Sequence, residues 1–266
     1  MKDLRIRAIS GILYVALLVG AMYAGPLAFF TVAGVFSVLA LIEFQKLIGV
    51  RNPIPILCLL ALYFIHYTQP LSDGTLLGLL LFAILSTLGL SYRLYFPFSL
   101  SNPLIKLTFA IGYLVACSVF IVVLYGSKEQ YAKDSILFTY ILVWMNNSAA
   151  YFVGSRFGKT PLFPSISPKK SWEGFWGGLV FCLLFAIVCT TAIPSLPLPF
   201  GIVMGICIPA LATVGDLIQS QFKRLAGVKD SGRLIPGHGG FYDRMDSIIY
   251  AAPFVYLIQQ ITSHVS

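Results

Sequence analysis

The sequence carries little charge for its length. Only 11% of its 266 residues are charged, whereas 58% are hydrophobic and the mean hydropathy is +0.87. A water-soluble globule of this length cannot hide so large an apolar fraction. The scarcity of charge therefore excludes an ordinary soluble domain, and a lipid bilayer is the simpler solvent for the chain.

Patterned cysteines and nucleotide-binding loops are missing as well. The cysteines lie inside apolar stretches without CxxC spacing, which argues against a disulfide framework or a zinc site; they are Cys58, Cys117, Cys182, Cys189 and Cys207. No GxxxxGK[ST] pattern occurs, so the chain has no P-loop. Because no repeat, low-complexity tract or linker divides it, we treat 1–266 as one integral-membrane domain, with apolar helices over 1–134 and a catalytic half over 135–266.

Long apolar runs, separated by polar residues or by proline and glycine, predict an all-α polytopic membrane protein. A membrane helix needs roughly 20 mostly apolar residues. Nine runs qualify, with two of them short: 8–25, 26–47, 53–67, 74–92, 104–125, 135–153, 175–193, 200–218 and 247–261. The basic start MKDLRIR resembles a secretory signal, but no clear processing site follows, so we expect the first span to be retained.

The basic residues are distributed unequally between the two sides of this predicted topology. With a cytoplasmic N-terminus, 16 of the 18 lysines and arginines fall on the cytoplasmic side, and only Lys128 and Lys133 fall outside. The positive-inside rule then predicts a cytoplasmic N-terminus and an external C-terminus. The basic face would attract anionic lipid headgroups, whereas nucleic-acid binding is not expected because no soluble domain remains to present a basic groove.

Three acidic residues stand near predicted cytoplasmic helix ends. Asp216 is followed by Ser220 and Lys223 at i+4 and i+7, on one helical face, and it either pairs with Lys223, stays hydrated or binds a ligand. Asp243 and Asp246, at i and i+3, open the last span, where capping would explain one of them. Two such carboxylates beside a third favour a divalent-cation site, because hard cations take oxygen ligands.

Two loops predicted on the cytoplasmic side are rich in cations. The loop after Asp216 combines Lys223, Arg224, Lys229 and Arg233 with glycines that let backbone amides approach a phosphate. His238 in this loop is either a phosphate donor, which we favour, or a turn residue. The other loop, 154–174, contains Arg156, Lys159, Ser167, Lys169, Lys170 and Glu173, and its prolines favour fixed anion-binding cations over a loose lipid anchor.

The string SQFKRLAGVKDSGRLIPGHGGFYDRMD, residues 220–246, resembles the signature of the phosphatidate cytidylyltransferases, also called CDP-diacylglycerol synthases. The upstream segment AYFVGSRFGKTPLFPSISPKKSWEG is similar to that family's second block. The resemblance covers roughly the C-terminal half, and the first five spans match only in being apolar. Asn147 stands where the family usually has an acidic residue, which changes the charge at that corner.

The resemblance implies an enzyme of phospholipid biosynthesis that transfers CMP from CTP to phosphatidate, with Mg²⁺ at two cation sites. It implies metal ligation by Asp216, Asp243 and Asp246, which would act in catalysis with Lys223 and Arg224. Substrate binding would fall to Ser167, Lys169, Lys170, Ser220, Lys229, Asp230, His238, Gly239, Gly240 and Arg244. The partners would be CTP, phosphatidate and membrane lipids, in a bacterial cytoplasmic membrane with the site facing the cytoplasm.

Several alternatives stay open at this point. A CTP-dependent polyprenol kinase would share basic loops and metal-binding carboxylates, although the HGG and DRMD strings favour the cytidylyltransferase. A transporter would place charges near mid-membrane or show inverted repeats, and the acids here lie only near helix ends. The DGxxAR motif of CDP-alcohol phosphatidyltransferases does not occur in the sequence. The sequence does not distinguish a monomer from a homodimer.

Overall fold

The computed structural model describes residues 2–96, 98–126, 132–193, 195–237 and 239–265. These residues form ten α-helices and one two-stranded sheet. In chain order the elements are α1 (Lys2–Ala24), α2 (Pro26–Leu47), α3 (Ile54–Thr68), α4 (Asp73–Tyr95), α5 (Pro103–Phe109), a π-helical segment (Ala110–Ala116), α6 (Cys117–Gly126), α7 (Ala132–Phe157), β1 (Pro161–Phe163), β2 (Ser167–Ser171), α8 (Trp172–Ala192), α9 (Leu198–Leu225) and α10 (Tyr242–Val265).

The molecule is an all-α membrane protein, as the composition predicts. Within the described residues, six helices are long and apolar enough to cross a bilayer: α2, α4, the continuous helix Pro103–Gly126, α7, α8 and α9. Two shorter apolar helices, Ile9–Ala24 and Ile54–Thr68, accompany them. The helix Pro103–Gly126 lies at the centre, with 78% of its apolar window buried.

Several helix ends lie beyond the predicted apolar runs. The run predicted over 200–218 continues as α9 to Leu225, so Ser220 and Lys223 are helical. The run predicted over 247–261 begins as a helix already at Tyr242, which places Asp243 and Asp246 in its first turns. Hydropathy marks only the apolar part of a helix, whereas the backbone hydrogen bonds of the helix continue into its polar end. The apolar runs therefore predict an end of α9 that is too early and a start of α10 that is too late.

The proline-stiffened segment predicted between α7 and α8 contains a short hairpin. Strands β1 and β2 pair antiparallel, with Pro161 opposite Ser171 and Phe163 opposite Ser167. The Trp172 amide donates to the Thr160 carbonyl at 2.9 Å and closes the hairpin onto the start of α8. Two of the cations of this segment, Lys169 and Lys170, are therefore carried on a strand.

Glycines allow close contact among the helices that surround the hairpin. A Cβ at Gly174 of α8 would lie 2.7 Å from the carbonyl oxygen of Ala150 in α7, and one at Gly215 of α9 would lie 2.9 Å from the carbonyl oxygen of Asp246 in α10. Small residues at such crossings let helix backbones approach each other in a membrane protein. This packing brings α7, α8, α9 and α10 together at one end of the molecule.

Gly205 in α9 offers a test of this packing. We expect Gly205→Ala to destabilise the protein by about 1–3 kcal/mol, because the added Cβ would lie 2.9 Å from Cα of Leu183 in α8 and force the helices apart. Gly78→Ala is the matched control, since nothing lies within 4 Å of its added Cβ. Denaturant titration in detergent micelles measures both, and equal stabilities would contradict this account of the α8 and α9 contact.

Candidate functional site

A cavity of about 740 Å³ opens where α7, α8, α9, α10 and the hairpin meet. It is lined by both charged and apolar side chains: Asn146, Asn147, Ala150, Tyr151, Gly154, Ser155, Leu162, Lys169, Lys170, Ser171, Gly174, Phe175, Thr213, Asp216, Gln219, Lys223, Asp230, Asp243, Arg244, Asp246 and Ser247. The polar groups come from α7, β2, α9 and α10 and from the loop 226–241, which we call the signature loop. The cavity can therefore receive a ligand that is both highly charged and partly apolar.

Asp216 joins α9 to the hairpin. Its Oδ2 lies 2.5 Å from Nζ of Lys170 on β2, and its Oδ1 accepts a hydrogen bond from Ser220 one turn later at 3.3 Å. The side chains of Asp216 and Lys170 both remain partly exposed, at 31% and 27%. The pair thus lies at the boundary between the protein and the open cavity, where an incoming anion can reach the lysine.

Asp243 lies at the start of α10 and accepts hydrogen bonds from α9 and from the signature loop. Its Oδ1 accepts from Lys223 at 2.7 Å and from Gln219 at 3.0 Å, both on α9. Its Oδ2 accepts from the backbone amide of Ser231 at 2.8 Å and that of Gly240 at 2.9 Å. Asp243 therefore fixes the signature loop against the end of α9.

The surroundings of Asp243 also set its charge, since this residue precedes the apolar stretch 247–261. Burial alone would raise the pKa of the carboxyl. The Lys223 ammonium and the hydrogen bonds from Gly240 and Ser231 outweigh burial and hold the pKa of Asp243 below its ordinary value. Asp243 is thus an anion that balances the cation Lys223.

Asp246 lies one helical turn after Asp243 and is 7% exposed. Its Oδ1 accepts a hydrogen bond from the backbone amide of Ser247 at 2.6 Å. Asp216 and Asp246 interact electrostatically across the contact of α9 with α10, and Lys223 and Lys170 act on both. The three carboxylates and the two lysines therefore form one group of interacting charges on the cavity wall.

The carboxylates of the cavity would hold a divalent cation only if a bound substrate supplied further oxygen ligands to that cation. In the part of the chain that the structure describes, no group of three His, Cys, Asp or Glu side chains is arranged to hold a metal ion. Asp216 and Asp246 nevertheless offer hard oxygen atoms to the same cavity. Mg²⁺ is commonly held by one or two carboxylates plus substrate phosphates, and this donor set matches that arrangement.

The structure brings most of the sequence-predicted residues together. The cavity wall contains the three acids and also Lys169, Lys170, Lys223, Asp230 and Arg244. Ser220 and Gly240 lie behind this wall, where they hydrogen-bond Asp216 and Asp243. Gly239 has φ +83 and its added Cβ would lie 2.6 Å from Oδ2 of Asp243, so glycine is required there.

Other predicted residues lie away from the cavity wall or outside the described chain. Ser167 and Lys229 are not among the residues lining the cavity as described. Arg224 points toward the hairpin, with Nε 3.4 Å from the carbonyl oxygen of Ile166. His238 lies outside the described residues.

Sequence reasoning missed several polar residues of the site. Gln219 follows Asp216 by three residues and lies just beyond the predicted span 200–218, and the sequence assigns it no role, although it hydrogen-bonds Asp243 and Lys223. Asn146, 2% exposed, lines the cavity beside Asn147. Glu43 belongs to α2, a helix read as apolar, yet its carboxylate contacts the signature loop. For Glu43 the signal was an isolated acid inside a membrane helix, which is costly unless paired.

Fold and cavity together define an integral-membrane protein with a cavity that is lined by both acidic and basic side chains. The chain matches the sequence profile of the cytidylyltransferase family over residues 5–262. It is 31% identical over 276 residues to a Bacillus subtilis protein named phosphatidate cytidylyltransferase, an alignment that covers 97% of this chain and 98% of that protein. The chain therefore belongs to the cytidylyltransferase family.

Two further relatives with the same name are more similar over shorter stretches. The Haemophilus influenzae protein is 40% identical over 178 residues, covering 63% of this chain and 61% of that protein. The Aquifex aeolicus protein is 39% identical over 161 residues, covering 59% of this chain and 58% of that protein. The chain thus aligns with about three fifths of the length of these two relatives.

The pairing of Lys223 with Asp243 can be measured through stability. Their side chains are only 12% and 6% exposed, so Lys223→Met leaves a buried carboxylate without its cation and should cost about 3–5 kcal/mol. The double variant Lys223→Met with Asp243→Asn should lose less than the sum of the single losses. Denaturant titration in micelles checks this, with the exposed Lys159→Met as control; strictly additive losses would contradict a coupled pair.

Proposed function

We propose that this protein is a phosphatidate cytidylyltransferase, an enzyme that converts CTP and phosphatidate into CDP-diacylglycerol and pyrophosphate for phospholipid biosynthesis. The observation that carries the proposal is the single cavity in which Lys170 and Lys223 face Asp216, Asp243 and Asp246. The relatives named above support the choice of substrates. A triphosphate and a lipid phosphate are both polyanions, and a site with balanced opposite charges can bind them without accumulating repulsion.

The proposed reaction needs no nucleophile from the protein. An oxygen of the phosphatidate phosphate attacks the α-phosphorus of CTP, the bond from that phosphorus to the oxygen leading to the β-phosphorus breaks, and pyrophosphate leaves with the bonding electrons. The task of the protein is to bring two anions together in line and to neutralise the charge on the departing group. Cations and metal-binding carboxylates are suited to this task.

The cavity supports a division of roles among its cations. Lys170 and Lys169 lie on the hairpin at the cavity edge, where their ammonium groups would bind the phosphates of incoming CTP. Lys223 is held by Asp243 and Gln219 at a fixed place in the wall, so it would orient the phosphate at the reacting centre. Arg244 lies beside the acids and would bind remaining phosphate oxygens.

Mg²⁺ is part of the proposal, with two cation sites. Asp216 and Asp246 would hold it together with substrate phosphate oxygens, and Asp243 would contribute through the lone pairs left by its hydrogen bonds. When bound, Mg²⁺ neutralises the triphosphate and polarises the phosphorus under attack. The side chains of Lys170 and Lys223 would then shift their contacts from carboxylate to phosphate.

The proposed topology has nine spans, a cytoplasmic N-terminus and the site at the cytoplasmic face of the bacterial inner membrane. In this arrangement the hairpin segment 158–171 and the signature loop 226–241 fall on the same side, as their shared cavity requires. The distribution of basic residues supports this orientation. CTP would reach the site from water while the acyl chains of phosphatidate stay in the bilayer.

A polyprenol kinase remains the alternative within the same chemistry. In the kinase reaction the hydroxyl of the polyprenol would attack the γ-phosphorus of CTP, and CDP would leave. The proposed reaction releases pyrophosphate instead. The family assignment favours nucleotide transfer. Measuring whether pyrophosphate or CDP is released therefore distinguishes the cytidylyltransferase from the kinase.

The activity is tested by incubating the purified protein in mixed micelles with Mg²⁺, α-labelled CTP and phosphatidate. We expect labelled CDP-diacylglycerol and an equal amount of pyrophosphate. Asp246→Asn should lower kcat by about 100-fold or more, because a charged ligand of the proposed Mg²⁺ becomes neutral. The exposed Asp73→Asn is the matched control and should keep full activity. A parallel incubation contains a polyprenol in place of phosphatidate, and release of CDP there, with no CMP-lipid formed from phosphatidate, would replace this proposal by the kinase.

The orientation is tested by cysteine labelling in intact cells, in a variant whose own cysteines are replaced by alanine. A membrane-impermeant maleimide should label Asp73→Cys in whole cells, because the start of α4 is proposed to face outward. Lys159→Cys, after α7, should be labelled only once the membrane is permeabilised. The reverse labelling pattern would show that the chain has the opposite orientation. Labelling of both cysteines in intact cells would refute the proposed topology.

A further inference from the structure

Glu43 is a buried carboxylate of α2 that is not among the described residues lining the site cavity, so the proposed reaction does not account for it. It lies one turn before the end of α2 at Leu47 and is 3% exposed. Its oxygens accept hydrogen bonds from the Ser231 hydroxyl at 2.8 Å, the Tyr242 amide at 2.9 Å and the Phe241 amide at 3.2 Å. All of these donors belong to the signature loop or to the first residue of α10.

Burial of an acid in this way has a large cost unless its oxygens are satisfied. An ionised carboxylate removed from water loses several kcal/mol of hydration, and hydrogen bonds to charged acceptors recover part of that loss. Two backbone amides and a hydroxyl are donors that a structured loop presents only in one conformation. Glu43 is therefore matched to one arrangement of residues 231 to 242.

Glycines of the signature loop close around the same carboxylate. A Cβ at Gly232 or at Gly240 would overlap with the carboxylate oxygens of Glu43. Only a residue without a side chain lets the loop backbone pass this close to the acid. The contact between the loop and the carboxylate therefore requires both the glycines of the loop and the buried acid of α2.

Ser231 connects Glu43 to the catalytic cavity. Its hydroxyl oxygen lies 2.8 Å from Oε2 of Glu43 and 2.8 Å from Oδ2 of Asp243. A hydroxyl has a single proton, so it donates to one of these carboxylates at a time. The backbone amide of Ser231 holds Asp243 in addition, at 2.8 Å. Ser231 is therefore one of the groups that fix the orientation of Asp243, together with Lys223, Gln219 and Gly240.

We propose that Glu43 is a positioning residue of the active site, which acts through Ser231 to hold the Asp243 carboxylate and the signature loop in the reactive arrangement. This inference rests on the proposed function, because Asp243 is one of its catalytic acids. Partners that orient a metal-binding side chain commonly contribute 10–100-fold to metal affinity or activity. Glu43 supplies this orientation from the N-terminal half of the chain, which the signature motif does not include.

Glu43→Gln is the central test, because glutamine keeps the size and replaces one acceptor oxygen by an amide that cannot accept. We expect kcat for CDP-diacylglycerol formation to fall about 10–100-fold, with the Mg²⁺ concentration for half-maximal rate raised several-fold and KM for phosphatidate nearly unchanged. Ser37→Ala is the matched control on α2: Ser37 is buried and hydrogen-bonds Tyr63, away from the site. It should leave all three quantities at their wild-type values.

A second pair of variants tests the connection through Ser231. Ser231→Ala removes the hydroxyl and should reproduce the kinetic defect of Glu43→Gln, whereas Ser231→Thr keeps the hydroxyl and should restore most of the rate. This rescue distinguishes positioning of Asp243 from a general loss of stability. If Glu43→Gln does not fold, the Ser231 pair alone decides the question.

Hydrogen exchange of the purified protein without substrate gives a measurement that is independent of turnover. Backbone amides of the signature loop should exchange faster in Glu43→Gln than in wild type, while those of α7 and α8 should not change. Wild-type kinetics in Glu43→Gln, or equal exchange of the loop, would overturn the inference. An inactive wild type with a loosened loop in the variant would instead refute the proposed function and leave the anchoring role of Glu43 in place.

Discussion

The ion pair between Lys223 and Asp243 is the contact on which the site depends. It joins the end of α9 to the first turn of α10, at 2.7 Å and almost out of contact with water. The same aspartate also receives amides from the signature loop, so loop, α9 and α10 share one anchor. With this anchor in place, Asp216 and Asp246 are held on adjacent helices, and Asp216 contacts Lys170 of the hairpin at the edge of the cavity.

Much of this arrangement could be predicted from the sequence because its components are local. Apolar runs predict membrane helices, and the spacing of Asp243 and Asp246 predicts that they share one side of a helix. Ser220, four residues after Asp216, does hydrogen-bond that acid as helical geometry requires. The string from 220 to 246 then connects these residues to a family, which the full-length relative bears out.

The remainder depends on partners that are distant in the chain. Nothing in the spacing around Asp216 indicates Lys170, which reaches it only because residues 167–171 form a strand of a hairpin. Lys223, a helical neighbour of Asp216, pairs instead with Asp243, since α10 packs against that side of α9. Hydropathy also hides Glu43, because a single acid scarcely changes the average over a span of 22 residues.

The contact between Glu43 and Ser231 has a consequence for how the protein is made. The two residues are 188 positions apart, so at typical synthesis rates the loop leaves the ribosome on the order of ten to forty seconds after α2. During that interval the glutamate has none of the donors that later surround it. Until then water is the donor left to satisfy the carboxylate, which favours holding the end of α2 in contact with water until the signature loop and α10 have formed.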